Sequence, residues 1–491
     1  MKFISQIFGG NLRQYGMVFA LVLLILFFQW QTGGKMISPM NFQALIAGNA
    51  YVLIMAIGML FVIITGQIDL APGSVAAVVG ICVAMSIRSG SAWWWVGVPV
   101  GVIVGLGVGV SSGKAVGRHV PGRGKAVGAG IGAGVVSGAI VGVGVSLAIA
   151  AFGIPWWGGV LIGLGAGALI GAWQGTWLAY IGVPGFITTL AGQMLFRGVY
   201  RSIGNAQSIP VPDQIKYIGN GYLPVWGPNT GLNNSTLLLG IIAVAAIAIL
   251  EFRRRGKLAS VGMTVVPLWA SITRVVLLAV IIGYLTYMFG SGRPGTSFPV
   301  PGIILVVIVL IYNFISTRTT LGRGVYAVGG NRIAAGLTGI NTKKIYFLAM
   351  ANMSLMAAVA AIVYVGRSTS TGPSDGTGWE LEAIAAVFIG GAAVSGGVGT
   401  VFGSIVGGLV MASLNNGLYL MGVSSDRTAI IKGLVLLVAV AFDLYNKSQG
   451  RMSIIGTLQR SLHLGRRQLE QDFDGETAAG AASPQEAEIT K

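Results

Sequence analysis

The sequence predicts an all-α, polytopic transmembrane helical bundle with broken or re-entrant helices, and three observations lead there. Only 9% of the 491 residues are charged while 54% are hydrophobic, against roughly 25% charged in an ordinary soluble domain. The mean hydropathy is +0.79. Apolar runs long enough to cross a hydrocarbon core of about 30 Å recur along most of the chain. A chain with so little charge cannot cover a water-facing surface, so the bilayer is its solvent.

In chain order the apolar runs fall near 15–31, 44–65, 72–88, 93–111, 127–152, 158–181, 184–201, 235–252, 270–289, 300–317, 345–366, 381–394, 398–419 and 427–445. Several are short enough to be half-helices, so the expectation is roughly 10–14 segments rather than that many full spans. The first run follows Lys2 and Arg13 as a signal peptide would, but no A-x-A-type site follows it, which predicts a retained helix. Basic clusters lie at Lys114, Arg118, Arg123 and Lys125, at Arg253–Arg255 and Lys257, at Arg318, Arg323, Arg332, Lys343 and Lys344, and beyond Lys447. With the N-terminus inside, every cluster falls in the cytoplasm, as positive-inside topology requires, and both termini are expected there. The longest outward loop, about 203–234, holds Lys216 as its one basic residue. The same placement disposes of nucleic acid as the reason for the net charge of +17: the basic residues are spread over short loops and form no continuous face.

Residues 1–450 read as one membrane domain, with a basic, Gly-rich expansion at 112–152 and a cytoplasmic loop at 318–344. The tail, 451–491, is polar and carries six of the 14 acidic residues between Glu470 and Glu488. It cannot bury a core and is expected to be disordered.

Glycine accounts for 78 residues. Gly159, Gly163, Gly167, Gly171 and Gly175 recur every four residues, as do Gly399, Gly403 and Gly407, which puts each set on one helix face where another helix can pack closely. A phosphate-binding loop is the competing reading. It fails because no G-x-x-x-x-G-K-[ST] occurs, so any ATP that drives the protein is hydrolysed by another polypeptide. Cys82 lies alone in an apolar run and is read as a small lipid- or core-facing side chain.

Three further segments carry polar groups in unusual places. TGQIDLAPGS, residues 65–74, interrupts a long apolar stretch with Gln67 and Asp69 and restarts at Pro72, a residue suited to a helix's first turn. Asp69 is either part of a polar pathway or a helix cap in a tight turn, and the two readings stand side by side. In TLGRGVYAVGGNRIAAGLTGINTKK, residues 320–344, Asn331 is expected to cap a short helix ending at Leu337 with Gly339 as its stop. A plain connection could be far shorter, which favours a docking role. In 379–418, Glu380 and Glu382 begin a helix whose dipole they complement. Ser395–Gly397 separates two short apolar pieces as a broken transporter helix would. An acid followed by A-A-V and Gly occurs after both Asp69 and Glu382, a faint sign of internal duplication. His119 and His463 lie in basic segments, and no cluster has metal-ligand spacing and no nucleophile–base pair stands out. No catalytic residue, metal or cofactor is expected.

These segments together resemble the monosaccharide-importer permeases of ABC transporters, the ribose- and xylose-type family. TGQIDLAPGSV is similar to that family's G-G-x-D-L-S-V-G-S signature, and VPGFITTLAGQMLFRGV (183–199) to its P-x-F-I-x-T-L-x-G-M-x-x-x-R-G segment. AVGGNRIAAGLTGINTKK resembles its cytoplasmic coupling loop, and Glu380 to Asp443 its C-terminal signature. The resemblance covers about 40–110 and 158–446 and points to the multiple-monosaccharide and xylose subgroup. It implies a non-catalytic, homodimeric permease in the bacterial inner membrane that partners a cytosolic ABC ATPase and an extracytoplasmic sugar-binding protein. By position, Gly330, Asn331, Ala334, Ala335 and Gly339 would engage the ATPase. Asp69, Ser74, Thr188, Thr189, Gln193, Asn415 and Asn416 would line the translocation path. Ala71 and Pro72 depart from the family's Ser-Val, which removes any side-chain role at 71, and 112–152 and the tail exceed the family's length. A permease for branched-chain amino acids or another small solute, and an ion-coupled secondary transporter, are the rival functions. The second would want buried ionisable relays, and apart from Asp69 and Arg197 the spans hold almost none.

Overall fold

The computed structural model describes residues 12–88 and 154–448, apart from 206, 229–230, 263–264, 266 and 294, with isolated positions between 132 and 140. Apart from those isolated positions, the expansion at 112–152, both histidines, the apolar runs at 93–111 and 127–152 and the tail after 450 lie outside the described residues. The described chain is helical: α1 (Leu12–Gln31), α2 (Pro39–Ile64), α3 (Pro72–Arg88), α4 (Trp156–Thr176), α5 (Gly185–Gly204), α6 (Asp213–Asn220), α7 (Asn234–Ser260), α8 (Leu268–Gly290), α9 (Val300–Arg318), α10 (Thr320–Gly330), α11 (Arg332–Leu337), α12 (Thr342–Ser368), α13 (Trp379–Ile389), α14 (Val401–Leu420) and α15 (Ser425–Ser448). Among these residues seven helices are long and apolar enough to span a membrane: α2, α4, α7, α8, α9, α12 and α14. The chain divides into a unit ending at Gly433 and a second beginning at Leu434, within α15.

The bundle has a centre and a rim. Of the most apolar stretch of α2, 78% is buried, against 11% for α7 and for α8. A helix hydrophobic all round and buried all round is core, whereas α7 and α8 present theirs outward, as lipid-facing helices do. α12 packs lengthwise against α2 and α4, and the glycine ladder of α4 is what lets it approach. All five of those glycines are buried. A methyl group on Gly171 would stand 2.7 Å from the Ala351 Cα, and one on Gly175 2.9 Å from the Phe347 carbonyl oxygen. The second ladder works likewise, with Gly407 set against the Ala386 carbonyl of α13.

Two faces can be named from what meets there. One holds α11, the end of α2 and the turn 390–400, where the Gly397 amide donates to the Ile64 carbonyl at 2.8 Å. The other holds the end of α12, whose Ser370–Thr371 pairs antiparallel with Ile209–Pro210 in a two-stranded ladder. The 203–234 stretch is more structured than an open loop. Pro212 starts α6, whose Ile215 and Gly219 are buried, and a methyl on Gly219 would meet the Arg367 amide nitrogen at 2.1 Å. The break expected at Ser395–Gly397 is a full reversal. α13 and α14 lie back to back as a hairpin, and the re-entrant interruption lies upstream, between α12 and α13.

Candidate functional site: a mid-bundle junction and an exposed docking helix

α2 ends with Gly66 in the left-handed region (φ 77°), where only glycine is unstrained. Residues 65–71 then turn back into the bundle before α3 starts. Asp69, fully buried, accepts a hydrogen bond from the Ala71 amide at 2.8 Å, and Pro72 opens the helix. The Asp69 bond runs to the residue two on, as in an Asx turn, and not to the N2 or N3 amide that a helix cap would hold. On the opposite side α12 ends at Ser368. Residues 369–378 dip inward, with the Gly372 amide donating to Asp375 at 2.7 Å, and α13 begins at Trp379.

The two half-helices meet end to end. A methyl on Gly73 would lie 2.0 Å from the Gly376 carbonyl oxygen and 2.4 Å from Glu380 Oε2, and one on Gly376 would lie 1.8 Å from the Gly73 carbonyl oxygen. The backbones therefore touch, and the Glu380 carboxylate sits at the N-terminus of α3, where the helix dipole favours it. Long helix, inward turn and half-helix thus occur twice with opposite direction, once as α2–α3 and once as α12–α13.

α5 holds both turns. The Thr189 hydroxyl is shared between the Phe186 carbonyl of its own helix at 3.3 Å and the Ile68 carbonyl at 3.4 Å, while Gln193 donates to Glu380 Oε1 at 3.1 Å and Arg197 to the Asp375 carbonyl at 2.6 Å. Spaced four apart, these three share one helix face, so a single stripe ties the first turn to the second. Beside it Ser354 of α12 donates to Gln174 of α4 at 3.2 Å. Several buried polar atoms here have no hydrogen-bond partner: Asp69 Oδ2, Ser74 Oγ, Thr188 Oγ1, Gln174 Nε2 and Glu380 Oε2.

Of the seven residues expected on a path, Asp69, Ser74, Thr188, Thr189 and Gln193 gather at this junction. Asn415 and Asn416 do not. Asn415 donates to Glu382 at 3.5 Å and Asn416 to Asn41 at 3.0 Å, on the opposite side of α13. Asp69, Ser74, Thr188 and Thr189 are also buried within the chain, so in this arrangement they line no open passage. Gln174, Arg197 and Glu380 belong to the junction but were not expected there. For Arg197 the four-residue spacing from Gln193 was the available signal.

The second element is α11. Asn331 Oδ1 accepts from the Ala334 amide at 3.0 Å, the helix ends at Leu337, and Gly339 takes φ 85°, as the sequence reading expects. Asn341 repeats the device, accepting from Lys344 at 3.0 Å to start α12. Gly330, Asn331, Ala334 and Gly339 are exposed. Ala335 is not: at 4% exposure it faces the bundle. The residues that do project are Ile333, 77% exposed, and Leu337, 84% exposed. They are four apart and share one face.

The family described as branched-chain amino acid transport system, permease component, matches residues 124–440. The chain is 32% identical over 438 residues to the xylose transport system permease protein of Escherichia coli K12, covering 89% of this chain and 93% of that one. It is 31% identical over 440 residues to the corresponding Haemophilus influenzae protein, with coverage of 89% and 98%. The ribose import permease of E. coli K12 is 44% identical over 161 residues, 33% of this chain and 49% of that protein. No solved structure gives a significant match.

Proposed function

Because the chain belongs to the ABC-type sugar permease family, we propose that it is the membrane subunit through which a monosaccharide, xylose or a sugar like it, enters the cell. It is a multi-pass protein of the inner membrane. The observation that carries the reading is α11, a capped six-residue helix holding Ile333 and Leu337 away from the bundle. Two large apolar side chains on one short, basic, extramembrane helix are what a protein partner buries. The sequence holds no phosphate-binding-loop motif, so the partner that fits is a separate ATPase. Arg318, Arg323, Arg332, Lys343 and Lys344 flank the helix, which favours the cytoplasm for this face.

In this reading Ile333, Ala334 and Leu337 dock on the ATPase with Gly330 and Gly339 as the hinges of the loop, and Asn331 and Ala335 act by holding the helix. α10 and the turn 390–400 connect α11 to α2. A methyl on Gly329 would stand 1.7 Å from the Ile64 carbonyl oxygen, so a push on α11 reaches the first inward turn by direct contact. The junction of α3 with α13, including Asp69, Ser74, Thr188, Thr189 and Gln193, is then the contact that rearranges as access alternates. Its unpartnered polar atoms are groups that a second arrangement can satisfy. Two copies would flank the sugar path, a soluble binding protein would supply the cargo, and the subunit itself is non-catalytic.

The test is co-reconstitution with the candidate ATPase and binding protein, followed by a scan of sugars for stimulated ATP hydrolysis and uptake. Stimulation by a pentose or hexose is expected. Uptake that needs no ATPase and collapses with an ion gradient would overturn the reading. The family's description keeps a second reading in the same assay: stimulation by leucine or valine, with none by any sugar, would make it an amino-acid permease.

A further inference from the structure

The α7–α8 hairpin is rooted in the bundle where α7 starts and α8 ends. There the Asn233 amide donates to the Gly290 carbonyl at 3.3 Å, the Phe298 amide to Thr236 Oγ1 at 3.2 Å, and Gln43 of α2 to the Phe289 carbonyl at 2.7 Å. α9 leaves from the same end and crosses to Arg318, where α10 and α11 follow. α7, α8 and α9 are each long enough to span, so the far end of the hairpin lies on the side of α11. That end carries Arg253, Arg254, Arg255 and Lys257. Glu251 is the one acid between residues 234 and 290, and it is paired with Arg274 of α8 at 3.3 Å. Arg253, Arg254 and Lys257 are exposed.

Helix rise fixes the depth of these charges. At about 1.5 Å per residue, Phe252 stands about 27 Å from Asn234 and Lys257 about 35 Å. A hydrocarbon core is about 30 Å thick, and the headgroup layers bring the whole to about 40–45 Å. The apolar length of α7 is therefore used up at Phe252, and Arg253 to Lys257 fall among headgroups. Counted from Gly290 in the same way, Trp269 of α8 stands about 32 Å out. It is 43% exposed, an indole at the level where tryptophans favour the interface. The Glu251–Arg274 pair lies just inside the boundary, where an unpaired charge is costly. Charge is cancelled below the boundary and left positive above it. Ile242, Ile249 and Leu250 are all exposed, on a helix whose most apolar stretch is 11% buried. Arg253 follows Ile249 by four residues, Arg254 follows Leu250 by four, and Lys257 follows Arg253 by four. The cations thus continue the lipid-facing stripe of α7 on the same side of the helix.

From this we infer that the far end of the α7–α8 hairpin is a docking surface for an anionic phospholipid, with its acyl chains along Ile242, Ile249 and Leu250 and its phosphodiester among Arg253, Arg254 and Lys257. Guanidinium groups pair with phosphate oxygens through two parallel hydrogen bonds, and an ammonium adds a point charge. A zwitterionic lipid brings the same phosphate together with a cation that the neighbouring arginines repel. A free phosphate has no chains to lay on the stripe, and an acidic protein segment meets the cations without the apolar contact below them. The inference concerns the membrane and not the cargo, so it holds whichever solute the subunit carries.

The test places the full chain in nanodiscs of phosphatidylcholine with a minor share of phosphatidylglycerol. In a Cys82→Ser background, Ser260→Cys carries a donor dye close to Lys257. Energy transfer to phosphatidylglycerol labelled on an acyl chain is compared with transfer to phosphatidylcholine labelled in the same way. At about 0.1 M salt a preference for phosphatidylglycerol of about fivefold or more is expected, since each cation near the surface contributes about that factor. At about 1 M salt, where screening acts within about 3 Å, the preference is expected to fall towards one. Arg253→Gln, Arg254→Gln and Lys257→Gln together are expected to abolish it without moving the melting temperature, all three side chains being exposed. Arg293→Gln, at the rooted end of the hairpin, is expected to leave it unchanged. Equal transfer to the two lipids in the parent, or a preference that survives the triple substitution or high salt, would overturn the proposal. So would a parent without lipid preference whose triple variant loses the co-purifying ATPase, a result that assigns the cations to a protein partner.

Discussion

Replacing Gly73 by alanine is the sharpest test of the junction. The added methyl would stand 2.0 Å from the Gly376 carbonyl oxygen and 2.4 Å from Glu380 Oε2, whereas carbon and oxygen rest no closer than about 3.3 Å. The side chain of Glu380 can swing aside, but the Gly376 carbonyl belongs to backbone that Gly372, Asp375 and Arg197 hold in place. Relief therefore needs a separation of the half-helices by roughly 1.3 Å, and forced overpacking of this kind costs about 2–3 kcal/mol. Alanine is otherwise the better helix former by about 1 kcal/mol, so a substitution at an open position gives the opposite sign. Gly283 of α8 has nothing within 4 Å of an added methyl and serves as that control. Gly73→Ala is expected to lower the melting temperature in detergent by several degrees and to depress sugar-stimulated ATP hydrolysis, while Gly283→Ala does neither. A Gly73→Ala protein that melts and turns over like the parent would refute backbone contact between α3 and α13.

Ile333→Asp with Leu337→Asp is expected to abolish co-purification of the ATPase without changing the melting temperature, since both side chains are already in solvent; retention of the partner would remove α11 as the docking helix. Asn331→Ala should cost about 1 kcal/mol of local stability through loss of its cap, read as faster amide exchange at Ala334 and a several-fold weaker ATPase affinity. Lys432→Met leaves Glu382 without its cation inside the bundle and is expected to destabilise by about 2–3 kcal/mol, discounted for the partial exposure of both side chains. Adding Glu382→Gln should restore most of that loss in a double-mutant cycle. Arg197→Gln removes a donor to the Asp375 carbonyl and should lower both the melting temperature and coupled transport, whereas Arg201→Gln, one turn on, should leave them within error.

Helix existence was legible because its cause is local. The run expected at 72–88 is the helix Pro72–Arg88, and the run at 300–317 lies within Val300–Arg318. Lipid selects apolar residues at every position of a span, so length and hydropathy suffice. The cap at Asn331 was legible for the same reason, its partner being three residues away. What the sequence did not display was direction. Ala334 and Ala335 look equivalent as letters, yet Ala335 is buried and Ala334 exposed, because the side of α11 that faces the bundle is set by where α10 and α12 lie. The turn at Ser395–Gly397 carries two glycines with positive φ and suits either an in-line break or a reversal. Tertiary packing of Gly403 and Gly407 on α13 decides for reversal.

The same distinction bears on how the two inward turns work together. Thr189, Gln193 and Arg197 bind the turn before α3 and the turn before α13 from one face of α5. A displacement of the first turn therefore cannot leave the second unmoved unless that stripe breaks. The first turn is reached from α11 through the Gly329–Ile64 contact, and the second carries Trp379 and Glu382 on its outgoing helix. The α10–α11 face and the junction of α3 with α13 are thus joined by contiguous contacts. Because the junction is backbone against backbone, it transmits position rather than charge, so neutralising Glu380 should weaken the link less than enlarging Gly73. Glu380→Gln keeps the acceptor for Gln193 and the shape of the side chain. It is expected to retain most coupled transport, and a loss as complete as that of Gly73→Ala would show that the carboxylate charge, not the contact, carries the coupling.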